Sequence, residues 1–304
     1  MIMTMKNIAI LTSGGDSPGM NSTIFGAFTA CQNNNIRLFG VLNGYDGLID
    51  NKFIEIDYQL LSGRINRGGS ILKSGRSKRF LKSNYFKMAL SNLKENKIEA
   101  LIIVGGDGSL KGAMKLRDNG VKVISLPGTI DNDLLFTYTI GFDTATNNIV
   151  NAIDNITDSL SSFGYGAVIK IMGNQCTDLI DTVADAIHTD LLVKSKDFDL
   201  NMLVKAVKSK NDGNHLPPIV LVLEDSADVE ELSALLQEKC KIQFRPHILG
   251  YIQRGGTPSA FDRRYGFTAG KASIESILHK KYNCAIGLVG DKLSGKELEN
   301  CFKY

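Results

Sequence analysis

This sequence contains no apolar stretch long enough to cross a membrane. Its longest apolar runs, such as residues 100–106 and 219–223, have the length of a strand, whereas a membrane span needs roughly 18 or more apolar residues. The first residues, MIMTMKN, run directly into the strand-like IAIL, without a charged n-region, a long apolar region or a small-residue cleavage site. We therefore expect a protein that stays in the cytoplasm.

The chain also has little net charge and few cysteines. Its 35 Lys and Arg residues exceed its 32 Asp and Glu residues by a surplus of +3, too weak to favour DNA or an anionic membrane as the main partner. The cysteines are an odd, scattered set without a CxxC pair, which argues against a disulfide framework and a zinc site; they are Cys31, Cys176, Cys240, Cys284 and Cys301. We expect reduced, mostly buried thiols and a small-molecule partner.

The sequence has a globular composition, and strand-like apolar runs alternate in it with segments of helical periodicity. Hydrophobic residues make up 43% and charged residues 22% of the chain, which is typical of a globular protein. Its length of 304 residues is enough for two domains. Strand-like runs cover residues 8–11, 100–104, 122–126, 167–172, 219–224 and 285–289. Helical spacing of apolar residues joins Phe86, Leu90 and Leu93, and later Ile149, Ile153, Ile156 and Leu160. This alternation predicts α/β layers with mostly parallel sheets.

A first glycine-rich loop, Thr12 to Asn21, follows the first strand with the residues TSGGDSPGMN. Glycine allows backbone N–H groups to converge on an anion, and the N-terminus of the helix expected just after the loop adds a favourable dipole. The loop is therefore a candidate phosphate cradle, although a plain tight turn explains it equally well. It matches neither of the two common nucleotide fingerprints, GxGxxG and GxxxxGK[ST].

A second loop, Gly105 to Ser109, places the carboxylate of Asp107 between glycines at a strand end. Magnesium prefers one or two carboxylates together with phosphate oxygens and waters. Asp107 is therefore a candidate ligand for a metal-bound polyphosphate. The turn alone has medium specificity, because NAD kinases and lipid kinases use a similar Gly-Gly-Asp-Gly sequence.

The third segment, PGTIDND at residues 127–133, places Asp131 and Asp133 two residues apart after another strand. One carboxylate can accept a hydroxyl proton while the other tunes its pKa or reaches the metal, as phosphoryl transfer to an alcohol requires. The alternative is an Asx-rich turn that caps a helix. This segment is the strongest functional signal in the chain.

Residues 64–97 are unusually basic, with ten Lys and Arg residues and a single acid, Glu95. Such a run usually forms a solvated face. Within it, Arg76 follows a Gly-Gly-Ser turn and could reach a phosphoryl group as it is transferred.

Taken together, these segments resemble the bacterial 6-phosphofructokinase family. The resemblance rests on GGDSPGMN at 14–21, INRGG at 65–69, SGR at 74–76, GGDGS at 105–109, PGTIDND at 127–133, TIGFDTA at 139–145 and LGYIQRGGTP at 249–258. It implies two Rossmann-like three-layer domains, with the active site in the cleft between them. The implied boundaries are 1–138 plus 250–304 for a larger nucleotide-binding domain and 139–249 for a smaller sugar-phosphate-binding domain.

The family's activity is transfer of the γ-phosphoryl group of ATP to O1 of fructose 6-phosphate with Mg²⁺. Carried over by position, Asp131 is similar to the general base, with Thr129 and Asp133 beside it, and Asp107 is similar to the metal ligand. The implied ATP site comprises Gly15, Arg76, Ser77, Gly106, Asp107, Gly108 and Ser109, with Arg76 also placed to stabilise the transferring charge. Pyrophosphate-using relatives carry Asp and Lys at the positions of Gly108 and Gly128, so ATP is the implied donor.

The resemblance also implies the sugar-phosphate site and a homo-oligomer, by likeness a tetramer. Thr129 and Asp131 would face the reacting hydroxyl, and the remaining sugar-phosphate positions are Met172, Gly173, Asn174, Glu224, Arg245, Tyr251 and Arg254. Three of the family's charged or protonatable groups are replaced, by Tyr165, Asn174 and Tyr251. These departures keep two alternatives open: a paralogue that acts on another sugar phosphate, or a catalytically weak regulatory subunit. A Rossmann oxidoreductase is disfavoured because its glycine fingerprint is missing.

The family's allosteric nucleotide site also departs from the pattern. Its arginines fall on neutral residues in this chain, namely Phe25, Thr29, Tyr58 and Thr157. A diphosphate needs several cationic donors to offset its desolvation. We therefore expect that this effector site is absent, unless Lys208 or Lys210 compensates.

Overall fold

The computed structural model describes residues 5–210 and 217–303, which form two compact units. The larger unit comprises the described residues up to Thr144 and those from Arg254 onward, and the smaller unit comprises Ala145–Gln253. Residues 1–4, part of the N-terminal segment considered above, lie outside the description. No helix among the described residues is long and apolar enough to cross a membrane.

The elements alternate between strand and helix for most of the chain. In chain order up to Pro127 they are β1 (Asn7–Thr12), α1 (Met20–Asn33), β2 (Arg37–Val41), α2 (Gly44–Ile49), β3 (Phe53–Glu55), α3 (Tyr58–Leu61), α4 (Ser83–Glu95), β4 (Ala100–Gly105), α5 (Asp107–Arg117) and β5 (Val123–Pro127). They continue with α6 (Phe142–Ser161), β6 (Gly166–Ile171), α7 (Asp178–Ala186), β7 (Leu192–Val193), α8 (Leu200–Lys210), β8 (Ile219–Leu223), α9 (Val229–Cys240), β9 (Phe244–Ile248), α10 (Ala260–Leu278), β10 (Cys284–Val289) and β11 (Lys292–Glu297). Short 3-10 turns cover Arg79–Leu81, Gly250–Gln253 and Leu298–Cys301.

The sheet of the larger unit has the described strand order β11-β10-β5-β4-β1-β2-β3. Its central strands are parallel, and only the edge strands β3 and β11 pair in the antiparallel sense. Because successive side chains of a strand point to opposite faces, Ile8 and Ile10 pack under α1 and α10, whereas Ala9 and Leu11 pack under α2, α4 and α5. Both faces are therefore covered by helices, as a three-layer fold requires.

The smaller unit contains a parallel sheet with the described order β7-β8-β6-β9. Strand β6 pairs with β8 and β9, so that Val168 lies opposite Val220 and Pro246. One face of this sheet packs Val168, Val220 and Val222 against apolar residues of α8 and α9. The predicted α/β class with mostly parallel sheets is confirmed in both units.

The structure also refines the predictions in detail. Helix α1 begins at Met20, inside the glycine-rich motif rather than after it. The predicted strand at residues 167–172 ends at Ile171, so Met172 lies in the loop that follows. All five cysteines are free in the structure, and four of them are buried while Cys284 is partly exposed, so the thiols are mostly buried, as predicted.

Candidate active site

Three loops of the larger unit meet at one edge of its sheet. They follow β1, β4 and β5, which are neighbouring parallel strands, and we call them the β1 loop (residues 13–19), the β4 loop (residues 106–109) and the β5 loop (residues 128–133). The carboxyl ends of parallel strands lie at the same edge, where ligands of such sheets bind. The glycine-rich, Asp107-bearing and Asp131-bearing segments are therefore brought together by the topology.

Backbone hydrogen bonds join the β1 and β5 loops to the end of β4. Ser13 N donates to Val104 O (2.9 Å), and Gly128 N donates to Gly105 O (3.1 Å). A Cβ atom on Gly105 would lie 2.5 Å from Ser13 O, closer than real Cβ atoms approach, so glycine is required for this contact. The β4 strand end is thus held between the β1 and β5 loops.

Asp107 is the first residue of α5, where its carboxylate meets the positive end of the helix dipole. Its Oδ1 accepts a hydrogen bond from Gly108 N, and its Oδ2 lies 3.1 Å from the Nζ of Lys111, one turn later. The side chain is about half exposed, with a relative accessibility of 47%. Both oxygens are therefore accessible to a ligand, which would replace only weak contacts at the surface.

The β4 loop is supported by buried Tyr45, a residue that the sequence analysis did not identify. The buried hydroxyl of Tyr45 donates to the backbone oxygen of Ser109 (2.6 Å), and its ring stacks on Phe80 with a centroid distance of 4.2 Å. Burial raises the pKa of this hydroxyl far above its usual value, so it remains a donor. No local pattern could indicate this contact, because the two residues are 64 positions apart.

The β5 loop is folded by its own polar side chains. Asp131 N donates to Thr129 Oγ1 (3.2 Å), and Thr139 binds the loop twice, through its hydroxyl to Thr129 O (2.6 Å) and through its N–H to Asn132 Oδ1 (2.9 Å). Asn132 adopts a left-handed conformation with φ of 54°, which Asn tolerates better than most residues. The loop therefore places Asp131 and Asp133 on either side of a fixed Asn.

The carboxyl of Asp133 has a perturbed pKa. Burial is the main cause, and the charges of Asp131 and Asp107 act in the same direction, raising the pKa from 3.8 to about 6. Its Oδ1 is buried without a hydrogen-bond donor among the described residues. Carboxylates that repel one another around an unsatisfied acceptor form a region that favours a cation.

This donor set fits magnesium bound together with a polyphosphate. Among residues 5–210 and 217–303, no three His, Cys, Asp or Glu side chains converge closely enough to hold a metal alone. Magnesium does not require such a cage, because it commonly takes one or two carboxylates and completes its shell with phosphate oxygens and water. Asp107 offers the accessible carboxylate, and the neighbouring Asp131 and Asp133 contribute negative charge.

Arg76 and Ser77 lie on a loop that crosses the β1 loop. Gly14 N donates to Gly75 O (3.1 Å), and Arg76 follows with an exposed side chain. The hydroxyl of Ser77 donates to Asp46 Oδ1 (2.7 Å) and accepts from Phe80 N (3.1 Å). Arg76 is thus available to a ligand, whereas the donor of Ser77 is used within the protein.

Arg254 also belongs to the larger unit, at the β1 loop. Its Nη1 lies 3.8 Å from Asp16 Oδ1, and a Cβ atom on Gly15 would approach the same Nη1 to 2.9 Å. The guanidinium therefore lies close against the backbone of Gly15, and a side chain there would displace it. Sequence reasoning gave Asp16 no role, although it stands in the quoted Gly-Gly-Asp motif.

In the smaller unit, the predicted sugar-binding residues follow neighbouring strands. Glu224 comes directly after β8, and its Oε1 accepts from Gly173 N (3.2 Å) and Asn174 N (2.6 Å) in the turn after β6. Met172 N donates to the Oε1 of Gln253, which is almost fully buried (2.9 Å). Met172, Gly173, Asn174 and Glu224 are therefore brought together, with Gln253 as a support that the sequence did not reveal.

The remaining predicted residues of this unit are exposed. Arg245 lies on the edge strand β9, and its guanidinium carbon is 5.0 Å from the ring centroid of Tyr165, which stacks on Phe163. Tyr251 is 81% exposed. Arg245 thus contacts the aromatic ring of Tyr165, one of the residues that replace a charged or protonatable group of the family.

Comparisons with known proteins identify the family of this chain. The family model described as "Phosphofructokinase" matches residues 7–277. A protein of Buchnera aphidicola subsp. Acyrthosiphon pisum (strain Tuc7) named ATP-dependent 6-phosphofructokinase is 37% identical over 98% of this chain and 94% of its own length. A protein of the same name from Serratia proteamaculans (strain 568) is 38% identical over 95% of this chain and 91% of its own.

A solved structure has the same fold over nearly the whole chain. The phosphofructokinase of Pichia pastoris in the T-state superposes with a TM-score of 0.91 at 27% identity. That match covers 97% of this chain and 35% of the longer Pichia chain. On the family match and the identity to full-length relatives, the chain belongs to the phosphofructokinase family.

Proposed function

We propose that this chain phosphorylates fructose 6-phosphate at O1 with ATP, giving fructose 1,6-bisphosphate and ADP in glycolysis. The observation that carries the proposal is the set of three carboxylates, Asp107, Asp131 and Asp133, at the carboxyl edge of adjacent parallel strands. Family membership supplies the substrate class, because the full-length relatives are named ATP-dependent 6-phosphofructokinase.

Asp131 is the proposed general base. Its carboxylate takes the proton of the sugar hydroxyl while that oxygen bonds to the γ-phosphorus and the bond from this phosphorus to the β,γ-bridging oxygen breaks, so that ADP leaves with the electron pair. Thr129 holds the backbone of Asp131 through its hydroxyl. Asp133, with its raised pKa, remains close enough to modulate the charge at Asp131.

Asp107 is the proposed ligand of Mg²⁺. Bound with the triphosphate, the ion would neutralise charge that develops on the phosphate oxygens. The proposal is supported by the exposure of this carboxylate, whose ion pair with Lys111 is an exposed one that a metal ion can replace.

The larger unit is proposed to bind the nucleotide. Gly15, Gly106, Gly108 and Ser109 supply backbone at the sheet edge, Ser77 lies beside them, and Arg76 stabilises the charge of the transferred group. A side chain at Gly128 would overlap with Val104, because a Cβ atom there would lie 2.7 Å from the valine Cγ1. The lysine of pyrophosphate-using relatives does not fit here, which supports ATP as the donor.

The smaller unit is proposed to bind the sugar phosphate. Glu224, Met172, Gly173 and Asn174 form the polar turn at its sheet edge. Arg245 and Tyr251, together with Arg254 of the larger unit, complete the proposed set. We further propose a cytoplasmic homo-oligomer, a tetramer by likeness to the family.

One observation favours a second candidate, a paralogue that acts on a different sugar phosphate. Arg245 lies over Tyr165, and Tyr251 is exposed, so the unit offers aromatic surface where the family resemblance implies cationic groups. Each charge-assisted hydrogen bond lost from a phosphate costs roughly 1.5–3 kcal/mol. A catalytically weak regulatory subunit is disfavoured by the complete set of Asp107, Asp131 and Arg76.

The test is an assay of sugar bisphosphate formation by the purified protein, because this product forms with either phosphoryl donor. Fructose 6-phosphate is compared with a panel of other sugar phosphates, ATP with pyrophosphate, and each reaction is repeated with excess EDTA. The proposal expects ATP-dependent, EDTA-sensitive turnover with the highest kcat/KM for fructose 6-phosphate. A higher kcat/KM for another sugar phosphate would replace the substrate, and turnover with pyrophosphate alone would replace the donor.

A further inference from the structure

A buried asparagine fastens the loop that carries Arg76. We call residues 62–78 the Arg76 loop; it runs from the end of α3 to the 3-10 turn at Arg79. Asn21, in the first turn of α1, is only 2% exposed. Its Nδ2 donates to Arg67 O (3.0 Å), and its Oδ1 accepts from Ile71 N (2.8 Å). One carboxamide therefore satisfies a backbone acceptor and a backbone donor of a loop nearly fifty positions away.

Further bonds continue from this point toward Arg76. The hydroxyl of Thr12, at the end of β1, donates to Lys73 O (2.7 Å) and lies 2.8 Å from Ser70 Oγ. Ser74 Oγ then donates to Gly14 O (3.0 Å), beside the bond from Gly14 N to Gly75 O. The Arg76 loop is thus bonded to α1, to β1 and to the β1 loop between Arg67 and Gly75.

Within the described part of the chain, the bonds that position Arg76 are made by its neighbours. Gly75 is bonded to the β1 loop, and Ser77 is bonded to Asp46, while the side chain of Arg76 is exposed. The segment is also rich in cations, with Arg64, Arg67, Lys73 and Lys78 all exposed, so mutual repulsion favours a more open loop. A neutral, buried, two-point anchor opposes that opening.

We propose that Asn21 is a positioning residue for phosphoryl transfer, which holds the Arg76 loop on the start of α1, beside the β1 loop, and thereby sets the place of Arg76. The role of Arg76 in this statement rests on the proposed function. The anchoring of the loop by Asn21 does not. Small displacements of a charge-stabilising group have large effects on rate, about a hundredfold for an error of about 1 Å.

The test combines limited trypsin cleavage with a double-mutant cycle. The variants are Asn21→Ala, Asn21→Asp, Arg76→Ala and the Asn21→Ala/Arg76→Ala double variant. Asn21→Asp keeps the acceptor for Ile71 N but faces Arg67 O with a second acceptor. The matched control is Asn92→Ala. The Asn92 carboxamide also makes two hydrogen bonds to distant backbone, from Nδ2 to Leu48 O (2.7 Å) and Ile49 O (2.9 Å), but away from the Arg76 loop.

In substrate-free protein, we expect trypsin to cleave the loop of Asn21→Ala about tenfold faster than that of the wild type or of Asn92→Ala, with Asn21→Asp between them. We expect Asn21→Ala to lower kcat about tenfold to a hundredfold when Arg76 is present, and less than about threefold in the Arg76→Ala background. The same cycle is measured on the dissociation constant of MgATP, which requires no turnover. The loss of MgATP affinity caused by Asn21→Ala should likewise be larger when Arg76 is present than in the Arg76→Ala background.

Unchanged cleavage in both Asn21 variants would overturn the anchoring. Equal losses with and without Arg76, in both kcat and MgATP affinity, would overturn the positioning of Arg76. If the wild type phosphorylates no sugar phosphate, the proposed function fails, while the cleavage rates and the binding cycle still decide this inference.

Discussion

The two units of this molecule hold their proposed substrate-binding residues in different ways. In the larger unit, the β1 and β5 loops are bonded to the end of β4, buried Tyr45 supports the β4 loop, and buried Asn21 fastens the Arg76 loop. In the smaller unit, Glu224 orders the turn after β6, but Arg245 and Tyr251 lie on exposed surface. The comparison teaches that the groups proposed for phosphoryl transfer are preorganised, whereas those proposed for sugar recognition are held by fewer contacts.

The largest expected effect comes from the preorganised side. Replacement of Asp131 by Ala should lower kcat by about two to four decades, the usual contribution of a positioned general base, and leave ATP binding nearly unchanged. Steady-state kinetics and calorimetric titration with MgATP measure the two quantities, with Asp197→Ala, an exposed carboxylate, as the control. A variant that keeps more than about a tenth of the wild-type kcat would contradict the assignment.

The packing of α1 against α10 can be tested at Gly270. Helices α1 and α10 touch so closely that a Cβ atom on Gly270 would overlap with the backbone oxygen of Thr23. Gly270→Ala should therefore lower the free energy of unfolding by roughly 2–3 kcal/mol, as overpacked core positions do. Denaturant titration measures it, and Gly108→Ala, another helical glycine with no atom within 4 Å of its Cβ position, should be neutral or slightly stabilising. Equal stability of both variants would disprove the close packing.

The larger unit should also carry a pH-dependent stability from Asp262. This fully buried carboxylate accepts hydrogen bonds from Gly141 N (2.8 Å) and Thr144 N (2.8 Å), yet burial outweighs them and raises its pKa from 3.8 to about 6. Because the folded state binds this proton more tightly, the stabilisation is complete below about pH 4 and is lost as the pH rises through about 6. The free energy of unfolding of the wild type minus that of Asp262→Asn should therefore fall by roughly 2–3 kcal/mol from pH 4 to pH 7. A difference that rises with pH would contradict the sign.

The smaller unit provides the next prediction. Tyr165→Arg should lower the KM for fructose 6-phosphate by about tenfold, because it restores a cationic donor for a phosphate beside Arg245, with little change in kcat. Tyr165→Phe is the control, since it keeps the ring that contacts Arg245. An unchanged or higher KM in the arginine variant would favour a different substrate.

The last prediction is that the two family effectors, ADP and phosphoenolpyruvate, have no effect on saturation by the sugar phosphate. The positions implied for a family effector site carry neutral groups, and the rings of Phe25 and Tyr58 contact each other with a centroid distance of 6.5 Å. Lys210, one possible substitute, forms an ion pair with Asp190. Half-saturation by the sugar phosphate at saturating MgATP should therefore be insensitive to ADP and phosphoenolpyruvate. A several-fold shift with phosphoenolpyruvate would reveal a site of another form.

The sequence predicted the parts of this fold that depend on local periodicity. Residues 100–104 form a two-sided buried strand, and the spacing of Phe86, Leu90 and Leu93 lies on the helix α4, because burial on both faces and helical amphipathicity leave regular patterns. Short or polar edge strands escaped detection. Strand β11, with the sequence KLSGKE, and the exposed β9 bury too little apolar surface to leave an alternating pattern.

For the candidate site, motifs indicated the loops but not what holds them. Asp107 and Asp131 stand out because their residue types and flanking glycines suit phosphate chemistry. The contacts of Asn21 with Arg67 and of Tyr45 with Ser109 join residues 46 and 64 positions apart, and only the folded chain reveals them. The pairing of Arg245 with Tyr165 was likewise invisible, since nothing local links a residue before β6 with one on β9.

The most direct test of the central claim is phosphorus-31 NMR of the wild-type protein with fructose 6-phosphate, ATP and MgCl₂. If the larger unit is preorganised for phosphoryl transfer to the sugar, ADP and fructose 1,6-bisphosphate should appear in equal amounts, with saturation only at high fructose 6-phosphate. Release of inorganic phosphate without phosphorylation of the sugar, or no consumption of ATP at any fructose 6-phosphate concentration, would contradict the account.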